Sequence, residues 1–239
     1  MKISAIIQTR TGSTRLPGKA LKKICGKTVI ELIIERIKKI NADDIIAAIP
    51  SIENDEFCDI LQSSGVEVFK GSEEDVLSRF HGASLKYSSD IIIRVNGDNL
   101  LIHPYFVDKA TETLISTSAD YVNVVDAPVG CGVDVFTFKA LDKAFNLKDL
   151  TEIEKEHVIP VFFRKGLFKI ESFFVKGKLA KKDLRLTLDT SQDFSLLEKI
   201  YENVYNPGTI ISLEDAIDLI EKDPEILNLN KDIKQKGWK

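Results

Sequence analysis

Short aliphatic runs alternate with amphipathic stretches through the first half of the chain, and this alternation limits the fold more than any other feature. "ISAIIQ" (3–8), "DIIAAIP" (44–50), "VEVFKG" (66–71) and "DIIIRVNGD" (90–98) are each bounded by polar or turn residues. The first has the length and composition of a strand buried on both faces of a parallel sheet, and the other three read as strands beside it. Helical signals fill the gaps. Thr28 is placed to cap a helix whose Ile30, Ile33, Ile34 and Ile37 form one stripe. "SIENDEFCDILQSSG" has Ile52, Phe57, Ile60 and Leu61 at helical spacing and stops at Gly65. "SEEDVLSRFHGASLKY" opens on Ser72 as a cap with an acidic first turn, and Pro104 starts "PYFVDKATETLIST" at its favoured position. Strand, helix, strand, helix with short links predicts an α/β fold with helices on both faces of a mostly parallel sheet.

The second half is less regular. "ADYVNVV", "GVDVFTF" and "LFKIESFFV" read as strands and "DLTEIEKEHVIPVFFRKG" as a helix. "DLRLTLDT" alternates Leu184, Leu186 and Leu188 with Arg185, Thr187 and Asp189, the pattern of a half-buried strand. A capped helix follows, with Phe194, Leu197, Tyr201 and Val204 on one face, and Asp193 in its first turn suits a dipole or capping role. In the basic tail "KDIKQKGWK", Trp238 is expected to dock locally. A chain of 239 residues, 44% hydrophobic and 29% charged, can bury one full-sized core.

Charge is uneven. Ten Lys/Arg face two Glu in residues 1–40, a surplus of eight in a chain whose net charge is −4. A basic first segment on an acidic protein points to a local anion site and gives no field for nucleic acid or a membrane surface. Cys25, Cys58 and Cys131 are odd in number and far apart, which fits reduced core residues and excludes a disulfide framework or a zinc site. Without a signal peptide or a membrane-length apolar run, the expected location is the cytoplasm.

The basic surplus centres on "TRTGSTRLPGK", at the carboxyl end of the first strand, where parallel sheets gather ligands. Gly12 to Gly18 encloses five residues, one too many for a Walker A loop, Ala20 replaces its hydroxyl residue, and no G-x-G-x-x-G occurs. The residue types nevertheless suit a triphosphate. Gly12 allows close backbone approach, Ser13 and Thr14 add donors, Arg10 and Arg15 offer planar forks, and Lys19 a point charge. Asp98 and Asp189 each follow a predicted strand, where one or two carboxylates can hold Mg²⁺ together with phosphate oxygens. Taken singly, Asp98 also fits a Gly-Asp turn and Asp189 a helix cap.

"IIQTRTGSTRLPGKAL" closely resembles the nucleotide-binding signature of the cytidylyltransferases that activate sugar acids, among them the 3-deoxy-manno-octulosonate and acylneuraminate enzymes. "GSEEDVLSRF", "RVNGDN" and "RLTLDTSQDF" follow in the same order, nearest the branch called spore-coat polysaccharide biosynthesis protein F, and "EKEHVIPVFF" is similar too. The resemblance weakens after about residue 205. It implies a three-layer α/β sandwich with a Rossmann-like sheet of the nucleotide-diphospho-sugar transferase type. It also implies a single domain over 1–239, with an excursion at about 126–182 that serves dimerisation or the acceptor.

The implied activity is Mg²⁺-dependent transfer of CMP from CTP to a sugar acid or related cell-surface precursor, with release of pyrophosphate. Arg10, Arg15, Lys19 and Asp98 would be catalytic, and Asp98 and Asp189 would hold the metal. Gln8, Gly12, Ser13, Thr14, Ser72, Asp75, Arg79 and Asn96 would join Arg10, Arg15 and Lys19 around the nucleotide, and Asp134 and His157 would face the acceptor. Plainer roles stay open: an exposed helical ion pair for Arg79, a turn for Asn96, a structural hydrogen bond for His157. His81 and His103 have no partner pattern. Leu100 and Asp134 depart from the family pattern, where proline and glutamate are common. The neighbouring alternatives are another nucleotide such as GTP, a sugar 1-phosphate acceptor, a glycosyltransferase-like enzyme, or a non-catalytic nucleotide-binding protein.

Overall fold

The computed structural model describes residues 1–235. Strands β1 (Ile3–Gln8), β4 (Asp44–Pro50), β5 (Glu67–Gly71) and β6 (Ile91–Asn96) form the parallel part of a seven-stranded sheet. The order runs β5-β4-β1-β6 and continues through β8 (Asp134–Thr137), β7 (Tyr121–Val125) and β9 (Ile170–Phe174). β8 is antiparallel to both neighbours and β9 parallel to β7. A two-stranded ribbon, β2 (Lys23–Ile24) and β3 (Lys27–Thr28), stands apart.

The aliphatic runs explain the layers. Along β1, Ala5 and Ile7 enter one core and Ile6 the other; β4 divides Ala47 and Ile49 from Ile46 and Ala48 in the same way. The first core is closed by α1 (Val29–Ile37), α2 (Asp55–Ser63), α4 (Pro104–Thr117), α7 (Ser191–Val204) and α8 (Leu213–Lys222). The second is closed by α3 (Val76–Lys86), α5 (Phe138–Phe145) and the segment after α6 (Glu152–His157). The result is the expected three-layer sandwich. Burying each of Ile30, Ile33, Ile34 and Ile37 contributes about 1.5–3 kcal/mol, and Thr28 and Glu31 close a capping box at the start of α1.

Several local expectations change. Ile52 is exposed, because α2 starts only after its Asn54 cap. Asp75, not Ser72, caps α3, and the Ser72 hydroxyl accepts the Asp75 N–H, so the acidic residues precede the helix. The helix read across 149–166 breaks after α6, where Val158 has φ 64° and Pro160 follows, and resumes as the 3-10 turn Ile159–Phe163. Cys25 is exposed in the tight β2–β3 turn, while Cys58 and Cys131 are buried. α5 and α8 are elements the pattern did not announce.

The run 184–189 is extended but joins no sheet. Leu186 donates to Val129 O, Val129 to Leu184 O and Leu188 to Asp98 O, so it stitches two loops together instead of continuing a ladder. Its polar face is buried as well, with Arg185, Thr187 and Asp189 all at 9% exposure or less. Trp238 lies outside the described residues.

Candidate active site

β1 and β6 lie side by side with Gln8 opposite Asn96, and the chain moves from the β4 side of β1 to the other at this point. That reversal of strand order opens a crevice beyond the strands' carboxyl ends. A cleft of about 680 Å³ fills it. Gly97 brings its two rims together: its N–H donates to Gln8 O at 2.8 Å, and a Cβ there would stand 2.7 Å from Thr9 Cβ.

The loop after β1 is held from behind. Thr11 donates its N–H and hydroxyl to the two carboxylate oxygens of buried Glu53, both at 2.7 Å. The Thr11 carbonyl accepts from Ser13 and Gly18, closing the loop on itself. Gly18 takes φ 65°, which starts the short 3-10 turn Lys19–Leu21, and Leu16 and Ala20 sink into the core. With its flanks anchored, Lys19 projects into the cleft.

There Lys19 Nζ lies 2.8 Å from Asp98 Oδ2, 3.0 Å from Leu188 O and 3.4 Å from Asp189 Oδ1. Arg15 NH2 is 3.0 Å from the same Asp189 oxygen. Arg10 stands at the other rim, 3.6 Å from Glu73. Gln8, Ser13, Thr14, Asn96 and His157 also line the cleft, His157 at the exposed end of α6. Arg79 lines it while only 2% exposed, donating to Ser72 O and Glu73 O and making no salt bridge among the described residues. Burial and the nearby Arg10 push its guanidinium down to about 10. Arg79 is thus a buried cation on the cleft wall and no exposed ion pair.

Other predicted residues stand elsewhere. Gly12 is off the wall, and Ser72 and Asp75 are occupied at the start of α3. Asp134 lines a smaller adjoining hollow of about 270 Å³, which shares Arg94, Asn96, Val129 and Gly130 with the cleft. Its carboxylate takes a hydrogen bond from Arg94 NH1 at 3.1 Å and from the Tyr121 hydroxyl at 2.5 Å. Burial and that carboxylate push the Tyr121 phenol far up, so it remains a donor. Gln8 accepts from Arg94 NH2 at 3.1 Å.

Glu53, Arg94 and Arg185 are structural participants the sequence reading did not single out. Arg94 had a signal, a charge inside an otherwise aliphatic run. Glu53 had none. Asp189 does not cap α7; Thr190 does, with Asp193 as the reciprocal partner.

The donor set suits a small hard cation. Two carboxylates from distant segments converge on one ammonium, and Mg²⁺ asks for one or two carboxylates plus phosphate oxygens and water. Among the described residues no group of three or more acidic, histidine or cysteine side chains is arranged to hold a metal by itself. A metal held by these two carboxylates would complete its shell with water or with oxygens of a bound ligand. No helix among the described residues is long and apolar enough to cross a membrane.

A family model described as cytidylyltransferase matches residues 4–215. An uncharacterised protein of Methanocaldococcus jannaschii is 39% identical, covering 100% of this chain and 98% of its own. The spore coat polysaccharide biosynthesis protein SpsF of Bacillus subtilis is 28% identical over 92% of this chain and 94% of its own. A solved cytidylyltransferase from Leptospira borgpetersenii superposes with a TM-score of 0.86 at 28% identity, covering 98% of this chain and 100% of that one.

Proposed function

The chain belongs to the cytidylyltransferase family, and on that premise we propose that it transfers CMP from CTP to an oxygen of a sugar acid or related cell-surface polysaccharide precursor. The acceptor oxygen–Pα bond forms as the bond from Pα to the β-phosphate oxygen breaks. Pyrophosphate leaves, and the acceptor proton passes to solvent. The observation that carries this reading is the convergence of Lys19, Arg15, Asp98 and Asp189 at the mouth of the β1 loop.

Each side chain has a task that follows from its position. Arg10, Arg15 and Lys19 bind the β- and γ-phosphates and stabilise charge as it builds on the leaving group. Ser13 and Thr14 supply neutral donors beside them. Arg79, buried and without a salt-bridge partner among the described residues, offers its guanidinium to an anionic or carbonyl oxygen of the nucleotide. Asp98 and Asp189 would hold Mg²⁺, which when bound would polarise the α-phosphate and lower the pKa of the acceptor hydroxyl. When CTP enters, Lys19 exchanges its two carboxylates for phosphate oxygens. The hollow beside Arg94 and Asp134 receives the acceptor, and residues of 126–182 serve the acceptor side and a homodimer contact.

Pyrophosphate release from CTP, with Kdo and other sugar acids as acceptors, tests the reading. Acceptor-dependent pyrophosphate with formation of a CMP-sugar supports it. Release of a nucleoside diphosphate from a nucleotide sugar would move the protein to glycosyl transfer, and release only from GTP or another nucleotide would overturn the CTP assignment.

A further inference from the structure

Asp189 differs from Asp98 in what stands behind it. Its Oδ1 faces the cleft, toward Arg15 and Lys19, while its Oδ2 accepts from Arg185 NH2 at 3.1 Å. The same guanidinium forks Asp193 with Nε and NH2, both at 2.9 Å, and its NH1 donates to Gln235 Oε1. Asp193 is fully buried, and its Oδ2 also accepts the backbone N–H of Asp189 at 3.1 Å. Asn230 closes the far side, donating to Asp193 Oδ1 at 3.0 Å.

We propose that Arg185 is a positioning residue for Asp189, the hub of a buried clamp that turns one carboxylate oxygen toward the cleft. This rests on the reading of Asp189 as a metal-holding carboxylate. Asp193 alone would neutralise a buried guanidinium with a two-pronged bond; the additional prong to Asp189 serves orientation. A planar fork with fixed donor directions can hold two carboxylates at once, which an ammonium on a flexible stem cannot. The clamp fixes Asp189 twice, at the side chain through Arg185 and at the backbone through Asp193. It also ties the site to the C-terminal segment, since Gln235 lines the cleft.

The test measures Mn²⁺ affinity by electron paramagnetic resonance, with and without α,β-methylene-CTP, on the full chain. Arg185→Gln should weaken Mn²⁺ binding about tenfold or more, and binding of the analogue without metal should hardly change. A purely structural role would lower the unfolding temperature and leave the affinity of the folded protein intact. Arg185→Lys keeps the charge beside Asp193 without the fork, so it should weaken Mn²⁺ binding too, and it decides the matter if Arg185→Gln does not fold. Asp189→Asn separates the two readings. If Asp189→Asn weakens Mn²⁺ binding and the folded Arg185 variants do not, the clamp is overturned while the metal reading stands. If Asp189→Asn leaves binding unchanged, the metal reading fails and the clamp loses its purpose with it.

Discussion

Asp98 and Asp189 reach the same ammonium, yet the chain delivers them in different ways. Asp98 sits two residues beyond β6, placed by a strand end and by a glycine packed against Thr9. Its position follows from a few neighbouring residues and the parallel ladder beneath them. Asp189 sits on an extended run without a ladder, placed by hydrogen bonds to the 128–130 loop and by the Arg185–Asp193 pair. Substitutions on the first side should therefore alter chemistry more than stability. On the second side the two should fall together.

The largest effect expected on the first side comes from Lys19→Ala, which should lower CTP-dependent pyrophosphate release about 10²–10³-fold. Its unfolding temperature should stay near that of the parent protein, since the ammonium contributes no core packing. A comparable fall in thermal stability would erase the contrast. On the second side, Asp193→Ala leaves the Arg185 guanidinium buried and half-paired. The expected loss is about 3–5 kcal/mol by denaturant titration, with activity falling in parallel.

Two glycines sharpen the contrast further. Gly18 and Gly130 both take positive φ, 65° and 95°. A Cβ on Gly18 meets nothing within 4 Å, whereas on Gly130 it would stand 2.8 Å from Thr187 N and 2.9 Å from Leu186 O. Gly18→Ala should cost about 1–2 kcal/mol, the left-handed penalty alone. Gly130→Ala should cost about 3 kcal/mol or more, because backbone must move as well. Equal losses would mean that the 184–189 run is free to shift.

A further effect, on acid stability, lies outside both sides, at α6. Arg164, hydrogen-bonded to Glu154, holds that carboxyl down at about 2 against a usual 4.5. A depressed carboxyl stabilises the fold above its unfolded value. That contribution is lost as pH falls from about 4.5 through about 2. Stability measured against pH should decline across that window, and Glu154→Gln should flatten this part of the decline.

The same contrast explains what could be read from the sequence. β1, β4 and β6 were legible because strands buried on both faces leave an aliphatic run, the half-exposed edge strand β5 was legible from Val66, Val68 and Phe69, and Thr28 and Pro104 marked their helices. Lys19 and Asp98 were legible because their positions are set locally. Arg185 was not: alternation assigned it to solvent, whereas its partners lie four, eight and fifty residues ahead. The break near Val158 had one local signal, Pro160, which cannot continue a helix, whereas the positive φ at β-branched Val158 is imposed by packing and not by local preference. Ser72 and Asp75 looked like pocket residues and instead shape the entry to α3, because a serine or aspartate before a helix serves caps as readily as ligands.

The central claim is that the loop after β1 grips a triphosphate. Thermal unfolding with CTP, UTP, GTP and ATP, each with and without Mg²⁺, addresses it most directly, for the parent protein and Arg15→Ala. CTP with Mg²⁺ at 100 times its Kd should stabilise the parent by about 2.7 kcal/mol, selectively over the other nucleotides, and the shift should collapse in Arg15→Ala. No shift with any nucleotide at millimolar concentration, or a CTP shift that survives Arg15→Ala undiminished, would contradict it.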